Sequence, residues 1–269
     1  MPRLLAALAL LALFAPVAGS AQTYPQIVPQ PRTTDPLRLG EAARAREIRE
    51  RIELGFREEL RGDWSRAAAE FNRVLSLNPK EPQGSTAHYD LGLAQTHLGK
   101  LDAAAASFAG AIALDPDFMA ARVNLIAVFL MRNDLTNARR TADELLARSP
   151  GSARGLYERG LTALRAGDGA LALHDFGALL AADPSYVTAR YDLALTEIKL
   201  GRLEDAERDL RQALALSPGF ARARFALGAV LLRSGRRSEA RVAFDEAAAS
   251  AQDPSLRELA AQLRDTLPR

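Results

Sequence analysis

Apolar and small residues recur along this chain in two alternating helical patterns, punctuated by Gly and Pro at fixed intervals. Pro79, Pro116, Pro150, Pro184 and Pro218 set the interval, with successive separations of 37, 34, 34 and 34 residues. The insertion Pro82, Gln83, Gly84 accounts for the longer first gap. The chain therefore divides into windows 48–81, 85–118, 119–152, 153–186, 187–220 and 221–254. Within each window, apolar positions at spacings of three and four mark one face of a first helix and then of a second. The left-handed turn between them suits Gly62, Gly99, Gly167, Gly201 and Gly235, with Asn133 as the tolerable substitute.

The inward faces are also regular. A small residue stands at the eighth place of five windows (Gly55, Gly92, Gly160, Ala194, Gly228), where two helices must approach closely; Ile126 is the exception. The second helix carries Ala67, Ala104, Ala138, Ala172, Ala206 and Ala240, followed four residues on by Phe71, Phe108, Ala142, Phe176, Leu210 and Phe244. Proline then stops it, having no N–H for the next backbone bond. These residues together resemble the tetratricopeptide repeat. The resemblance covers six windows of 34 residues in the 269-residue chain. It implies an all-α fold, a right-handed α-solenoid of six helix-turn-helix units, since one hairpin alone buries too little to offset its chain entropy. Window 119–152 lacks the Gly and the Phe, and window 221–254 has Gln252 where Pro is expected; both keep the helical pattern and read as divergent repeats.

The ends of the array need caps. Asp253 and Pro254 start a C-terminal capping helix over 254–267, with Leu256, Leu259, Leu263 and Leu267 as its apolar stripe. Asp35 and Pro36 give the same start signal for a long first helix running to Arg61, with Glu47 and Arg51, and Glu53 and Arg57, spaced as i,i+4 ion pairs. That helix reads as a solvated cap, with a dimerising surface as the other reading. Before it, Arg3, the apolar run Leu4 to Val17 and the small residues Ala18 to Ala21 read as a secretory signal peptide cleaved after Ala21; an uncleaved anchor is the alternative. Residues 22–35, with Pro25, Pro29 and Pro31, read as an extended linker, or as a docking peptide for a partner. The processed chain is expected to be periplasmic or secreted, with no stable membrane insertion.

Composition narrows the chemistry. There is no cysteine and there are three histidines, which excludes disulfide, thiol and thiolate-metal chemistry. His88 and His97 lie on opposite faces of one predicted helix and His174 is in another repeat, so no metal site is expected. With 35 basic against 33 acidic residues, a nucleic-acid partner is not expected either. No phosphate loop, nucleophile elbow or paired-carboxylate motif is present, so the reading is no enzyme and no cofactor. Most acidic residues are read as a solvated helix face.

The resemblance implies a concave groove lined by the first helices. Its fifth places are Ile52, Tyr89, Val123, Tyr157, Tyr191 and Phe225; its ninth places are Phe56, Leu93, Ala127, Leu161, Leu195 and Ala229. Arg49, Arg154 and Arg222 at the second place, Glu53, Asp90, Glu158 and Asp192 at the sixth, and Arg165, Lys199 and Arg233 at the thirteenth flank that floor. Relatives that clamp a carboxylate use polar residues where this chain is apolar, and only Asn124 is reminiscent of them. The groove is thus expected to hold a peptide or helix segment of a protein partner, with Tyr157 and Tyr191 partly exposed; packing against the next repeat is the other reading of the tyrosines. The implied function is an interaction scaffold in envelope assembly, secretion or surface-appendage biogenesis. Its rivals are a spacer or self-associating subunit, and a small repeat-containing hydrolase or glycan-active enzyme.

Overall fold

The computed structural model describes residues 36–268, which form thirteen helices and no strand. The signal peptide and linker predicted for residues 1–35 lie outside the described residues. The fold is all-α, built of antiparallel helical hairpins of the α-solenoid class, and falls into two compact units divided between Asn133 and Asp134. The first holds α1 (Pro36–Leu60), α2 (Trp64–Ser76), α3 (Gln83–His97), α4 (Leu101–Leu114) and α5 (Met119–Met131). The second holds α6 (Leu135–Arg148), α7 (Ala153–Ala166), α8 (Gly169–Ala182), α9 (Val187–Lys199), α10 (Leu203–Leu216), α11 (Ala221–Arg233), α12 (Arg237–Ser250) and α13 (Pro254–Asp265). Within each unit every helix packs on the next in sequence, and in the second unit α9 also touches α7 and α11.

Local chemistry explains these elements. Five turn glycines adopt φ between +70° and +82°, and Asn133 follows at +58°, the left-handed geometry that lets one helix end and its partner begin within a few residues. Asp63, Asp134, Ser152, Asp168 and Asp253 each cap a helix by accepting a bond from a backbone N–H of its first turn. The insertion at Pro82–Gly84 does not form a loop: Gln83 and Gly84 extend the first turn of α3, and the Glu81 carboxylate accepts from the Ser85 N–H at 3.2 Å. The capping helix α13 ends at Asp265, with Leu256 and Ala260 buried beneath it.

The eighth-place glycines fit the second-helix phenylalanines. A Cβ on Gly55 would stand 2.7 Å from the Phe71 ring, one on Gly92 2.7 Å from Phe108, one on Gly160 2.8 Å from Phe176 and one on Gly228 2.8 Å from Phe244. Where the glycine is Ala194, the residue sixteen places on is Leu210, and both are fully buried. The third window exchanges the sizes, with Ile126 and Ala142, each fully buried. The departures from the repeat pattern therefore conserve volume, which cores tolerate well.

A further device recurs at the fourth place of the first helices. The guanidinium of Arg122 donates to the Pro116 carbonyl, that of Arg190 to the Pro184 carbonyl at 2.9 Å, and that of Arg257 to the Ala251 carbonyl at 2.7 Å. Each arginine reaches six residues back and satisfies a carbonyl that the helix break had freed.

Candidate functional site

The expected groove floor of the second unit is packed more tightly than its sequence implied. Tyr157 and Tyr191, expected to be partly exposed, are 9% and 3% exposed, and Phe225, Leu161 and Leu195 are buried with them. For the two tyrosines the cause is a second aromatic row, the last residue of three of the windows. Tyr186 lies 5.5 Å from Tyr157 and Phe220 5.0 Å from Tyr191, while Phe176 and Phe244 approach Tyr157 and Phe225 from the second helices at 6.1 and 5.3 Å. The fifth-place rings are thus packed against other rings of their own windows, which corrects the expectation of open tyrosine faces. The covering row had a signal in the sequence: Phe118, Tyr186 and Phe220 each follow a window's proline by two residues.

The thirteenth-place bases are also differently placed. Lys199 Nζ donates to the Leu164 carbonyl at 2.8 Å, and Arg233 Nη1 to the Ile198 carbonyl at 3.2 Å. Each binds the C-terminal end of the preceding first helix, where free carbonyls and the negative end of the helix dipole favour a cation. They tie repeat to repeat instead of standing free beside a ligand. Arg165, half-buried, is pushed down from its ordinary value by burial.

Polar groups are buried in this floor as well. Glu158 and Asp192, expected to flank the groove floor, are only 2% and 6% exposed. The Tyr157 hydroxyl donates to Asp192 at 2.9 Å, and Arg154 pairs with Glu158 at 2.8 Å while lying 5.9 Å from the Tyr157 ring. Burial pushes both carboxyls up to about 7, against the opposing pull of Arg154 on Glu158 and of the Tyr157 bond and Arg222 on Asp192. Burial, with Asp192 beside it, holds the Tyr191 hydroxyl above its ordinary value. Glu158 Oε2, the Tyr191 hydroxyl and Arg222 Nη1 are buried yet bond to nothing in the structure. Such groups cost about 1–3 kcal/mol each unless something satisfies them.

The first unit places Ile52, Phe56, Tyr89 and Leu93 half-buried and Val123 buried. Tyr89 packs against Phe118 at 4.9 Å and Phe108 at 5.8 Å, and its hydroxyl accepts from Asn124 Nδ2 at 3.1 Å. Asn124 thus positions a tyrosine. Beside it, Asp90 is 6% exposed, and burial together with Glu59 pushes it up to about 8; burial likewise pushes Glu59 up to about 7. Sequence reasoning missed Glu59 although the signal was present: Thr96, Leu130, Leu164, Ile198 and Leu232 occupy its twelfth place elsewhere. Among the described residues no group of three His, Asp or Glu side chains is arranged to hold a metal, and no helix is long and apolar enough to cross a membrane.

Comparisons with known proteins agree with this architecture. One model of the tetratricopeptide repeat matches residues 61–117, 97–153 and 157–207, together more than half of the chain, and a second matches 198–263. The structure is similar to that of TTC0263, a thermophilic TPR protein of Thermus thermophilus, with 25% identity and a TM-score of 0.58 over 66% of this chain and 98% of that one. It is similar to a tetratricopeptide repeat protein of Parabacteroides merdae, with 18% identity and a TM-score of 0.60 over 82% and 99% of the two chains. It also resembles yeast Tom70, with 18% identity and a TM-score of 0.63 over 81% of this chain and 46% of that one. No curated protein matches the sequence at a significant level.

Proposed function

Because the chain belongs to the tetratricopeptide repeat family, we propose that it is a non-enzymatic scaffold that holds a segment of a partner protein along the first helices of its repeats. The observation that carries this reading is the trio of buried, unsatisfied polar atoms in the second unit: Glu158 Oε2, the Tyr191 hydroxyl and Arg222 Nη1. They belong to α7, α9 and α11, with α9 touching both of the others. An extended peptide offers N–H donors and carbonyl acceptors in alternation, the complement of a carboxylate beside a hydroxyl and a guanidinium. The N-terminal pattern of Arg3, an apolar run and small residues supports export to the bacterial periplasm, and hence a role in envelope assembly, secretion or surface-appendage biogenesis.

Photo-cross-linking tests the reading. A benzophenone amino acid at half-buried Ala229, the ninth place of α11, is expected to capture a partner protein in envelope extracts, whereas the same group at exposed Val242 on α12 is not. Equal capture at both positions, or at neither, would remove the site from this face. An adduct of twice the chain's own mass would instead support the self-associating subunit.

A further inference from the structure

The acidic residues of the two units sit at the same repeat positions but in opposite electrostatic company. In the second unit, Glu158 has Arg154 four residues before it at 2.8 Å, and Asp192 feels Arg222 from the following repeat. Both arginines are second-place residues of their windows. Asp90 occupies the corresponding sixth place in the first unit, but the two second places that would serve it are Thr86 and Ala120. The Thr86 hydroxyl is engaged with the Pro82 carbonyl at 2.9 Å. The cations present in the second unit have no counterpart here.

The neighbourhood also contains one carboxylate too many. Glu59 stands at a place that is Leu, Ile or Thr in every other window, and its Oε1 is buried without a hydrogen-bonding partner. Asp90 Oδ2 is buried without one too, in a side chain that is 6% exposed. Burial and, after it, the Glu59 charge push Asp90 up, and the Glu59 charge also adds to the rise at Tyr89. The Tyr89 hydroxyl accepts from Asn124, which leaves its own proton free to donate. Two carboxyls from neighbouring hairpins, each with a buried oxygen that has no hydrogen-bonding partner, are costly as they stand. Buried charges are ordinarily paired. The surrounding window 85–118 has the single base Lys100 against its aspartates, of which Asp102 is paired with Arg132 at 2.8 Å.

We propose that Glu59 and Asp90 receive a cationic side chain, arginine or lysine, from the segment that the scaffold binds. An arginine suits the pair best, because its planar fork can donate to two carboxyl groups at once while its stem lies against the half-buried Phe56 and Leu93. The partner segment is thereby given a chemistry: it carries a basic residue, which lies on the first unit. The inference rests on the scaffold reading but can fail separately from it. A captured partner that carries no basic residue in its bound segment would overturn the cation site and leave the scaffold standing.

The direct test uses isotope-labelled full chain and two probe peptides, acetyl-Ala-Arg-Ala-amide and its citrulline analogue, which has the same shape and no charge. Titration followed by NMR is expected to move the signals of Glu59, Tyr89 and Asp90 with the arginine peptide, and to find the citrulline peptide weaker by about tenfold or more. Asp90→Asn and Glu59→Gln should each reduce the arginine peptide to the citrulline level. Glu59→Leu, which restores the residue type found at this place in the other repeats, should do the same while folding at least as stably as the wild type. Equal binding of the two peptides, shifts located away from Asp90, or equal displacement by calcium and sodium at matched ionic strength would overturn the proposal.

Discussion

The hydroxyl of Tyr157 donates a 2.9 Å hydrogen bond to Oδ2 of Asp192, 35 residues further along the chain. The same separation joins Tyr89 to Asn124, Leu164 to Lys199 and Ile198 to Arg233. One repeat plus one residue is therefore the step at which side chains of neighbouring first helices meet. Tyr157→Phe keeps the ring between Phe176 and Tyr186 and deletes only the donor, leaving a buried carboxyl without its partner. Urea unfolding should find a loss of about 1–3 kcal/mol. Tyr157→Ala, which also empties the ring site, should cost about 3–5 kcal/mol. No loss in Tyr157→Phe would mean that the hydrogen bond contributes nothing, and equal losses for the two would mean that the ring adds nothing beyond it.

The buried carboxyls make stability depend on pH in an uncommon direction. Glu158 and Asp192 are pushed up to about 7 and Asp90 to about 8, each chiefly by burial, from ordinary values of 4.5, 3.8 and 3.8. Between about pH 4 and pH 8 the native state holds protons that the unfolded chain has released, so stability must fall as pH rises. Their contribution is complete below the unfolded values and lost as pH passes through the folded ones. Glu207 and His88 act in the opposite sense: bonds from Arg211 and Arg236 outweigh the burial of Glu207 and hold it below its ordinary value, with an effect below this window, and burial lowers His88, whose single opposing contribution the three carboxyls outnumber. Urea midpoints measured from pH 5 to pH 8 should fall steadily, by an amount on the order of 3 kcal/mol in stability. Glu158→Gln with Asp192→Asn should flatten the curve. A wild-type curve already flat over that range would show that these groups ionise as they do in water.

Processing gives a separate prediction. If residues 1–21 act as a cleaved signal, intact mass of the exported protein will begin at Gln22, or at its cyclised form, and replacing Leu10 and Leu11 by Arg will leave the precursor unprocessed in the cell. Retention of the first 21 residues in the membrane fraction would argue for an anchor.

Much of the fold was legible because single residues carry single geometric demands. Gly62 or Gly167 signals a left-handed backbone, Asp253 before Pro254 a cap, and a Gly sixteen residues before a Phe a close helix contact. Each demand is settled within one hairpin, so it recurs visibly in every window. The floor was less legible because its burial is set by residues far along the chain, some in the same window and some, as in the Tyr157 bond to Asp192, in the next. Nothing in Glu158 or Asp192 alone distinguishes a buried carboxyl from a solvated one; the distinction depends on Tyr186 and Phe220 closing over the fifth-place rings. Lys199 looked like a groove charge for the same reason, since its acceptor is a backbone carbonyl that has no side-chain signature. Glu59 was readable in principle, as the one carboxylate in a column of Leu, Ile and Thr.

The pairing of Gly160 with Phe176 and of Ala194 with Leu210 implies that these sites are energetically coupled. In Gly160→Ala the new Cβ would lie 2.8 Å from the Phe176 ring, so the ring must shift. That overpacking costs about 1–3 kcal/mol, offset by about 1 kcal/mol of helix propensity gained over glycine. Phe176→Leu alone opens a void and costs on the order of 1 kcal/mol or more. In the double variant the added methyl occupies part of the void, the clash is gone and the propensity gain remains, as in the natural Ala194 and Leu210 pair. A double-mutant cycle by urea unfolding should therefore give a favourable coupling of about 1 kcal/mol or more, well above the ~0.3–0.5 kcal/mol scatter of independent sites. Strict additivity would show that the glycine is required by the backbone of α7 and not by the ring opposite it. The size exchange seen in the other windows would then need a different cause.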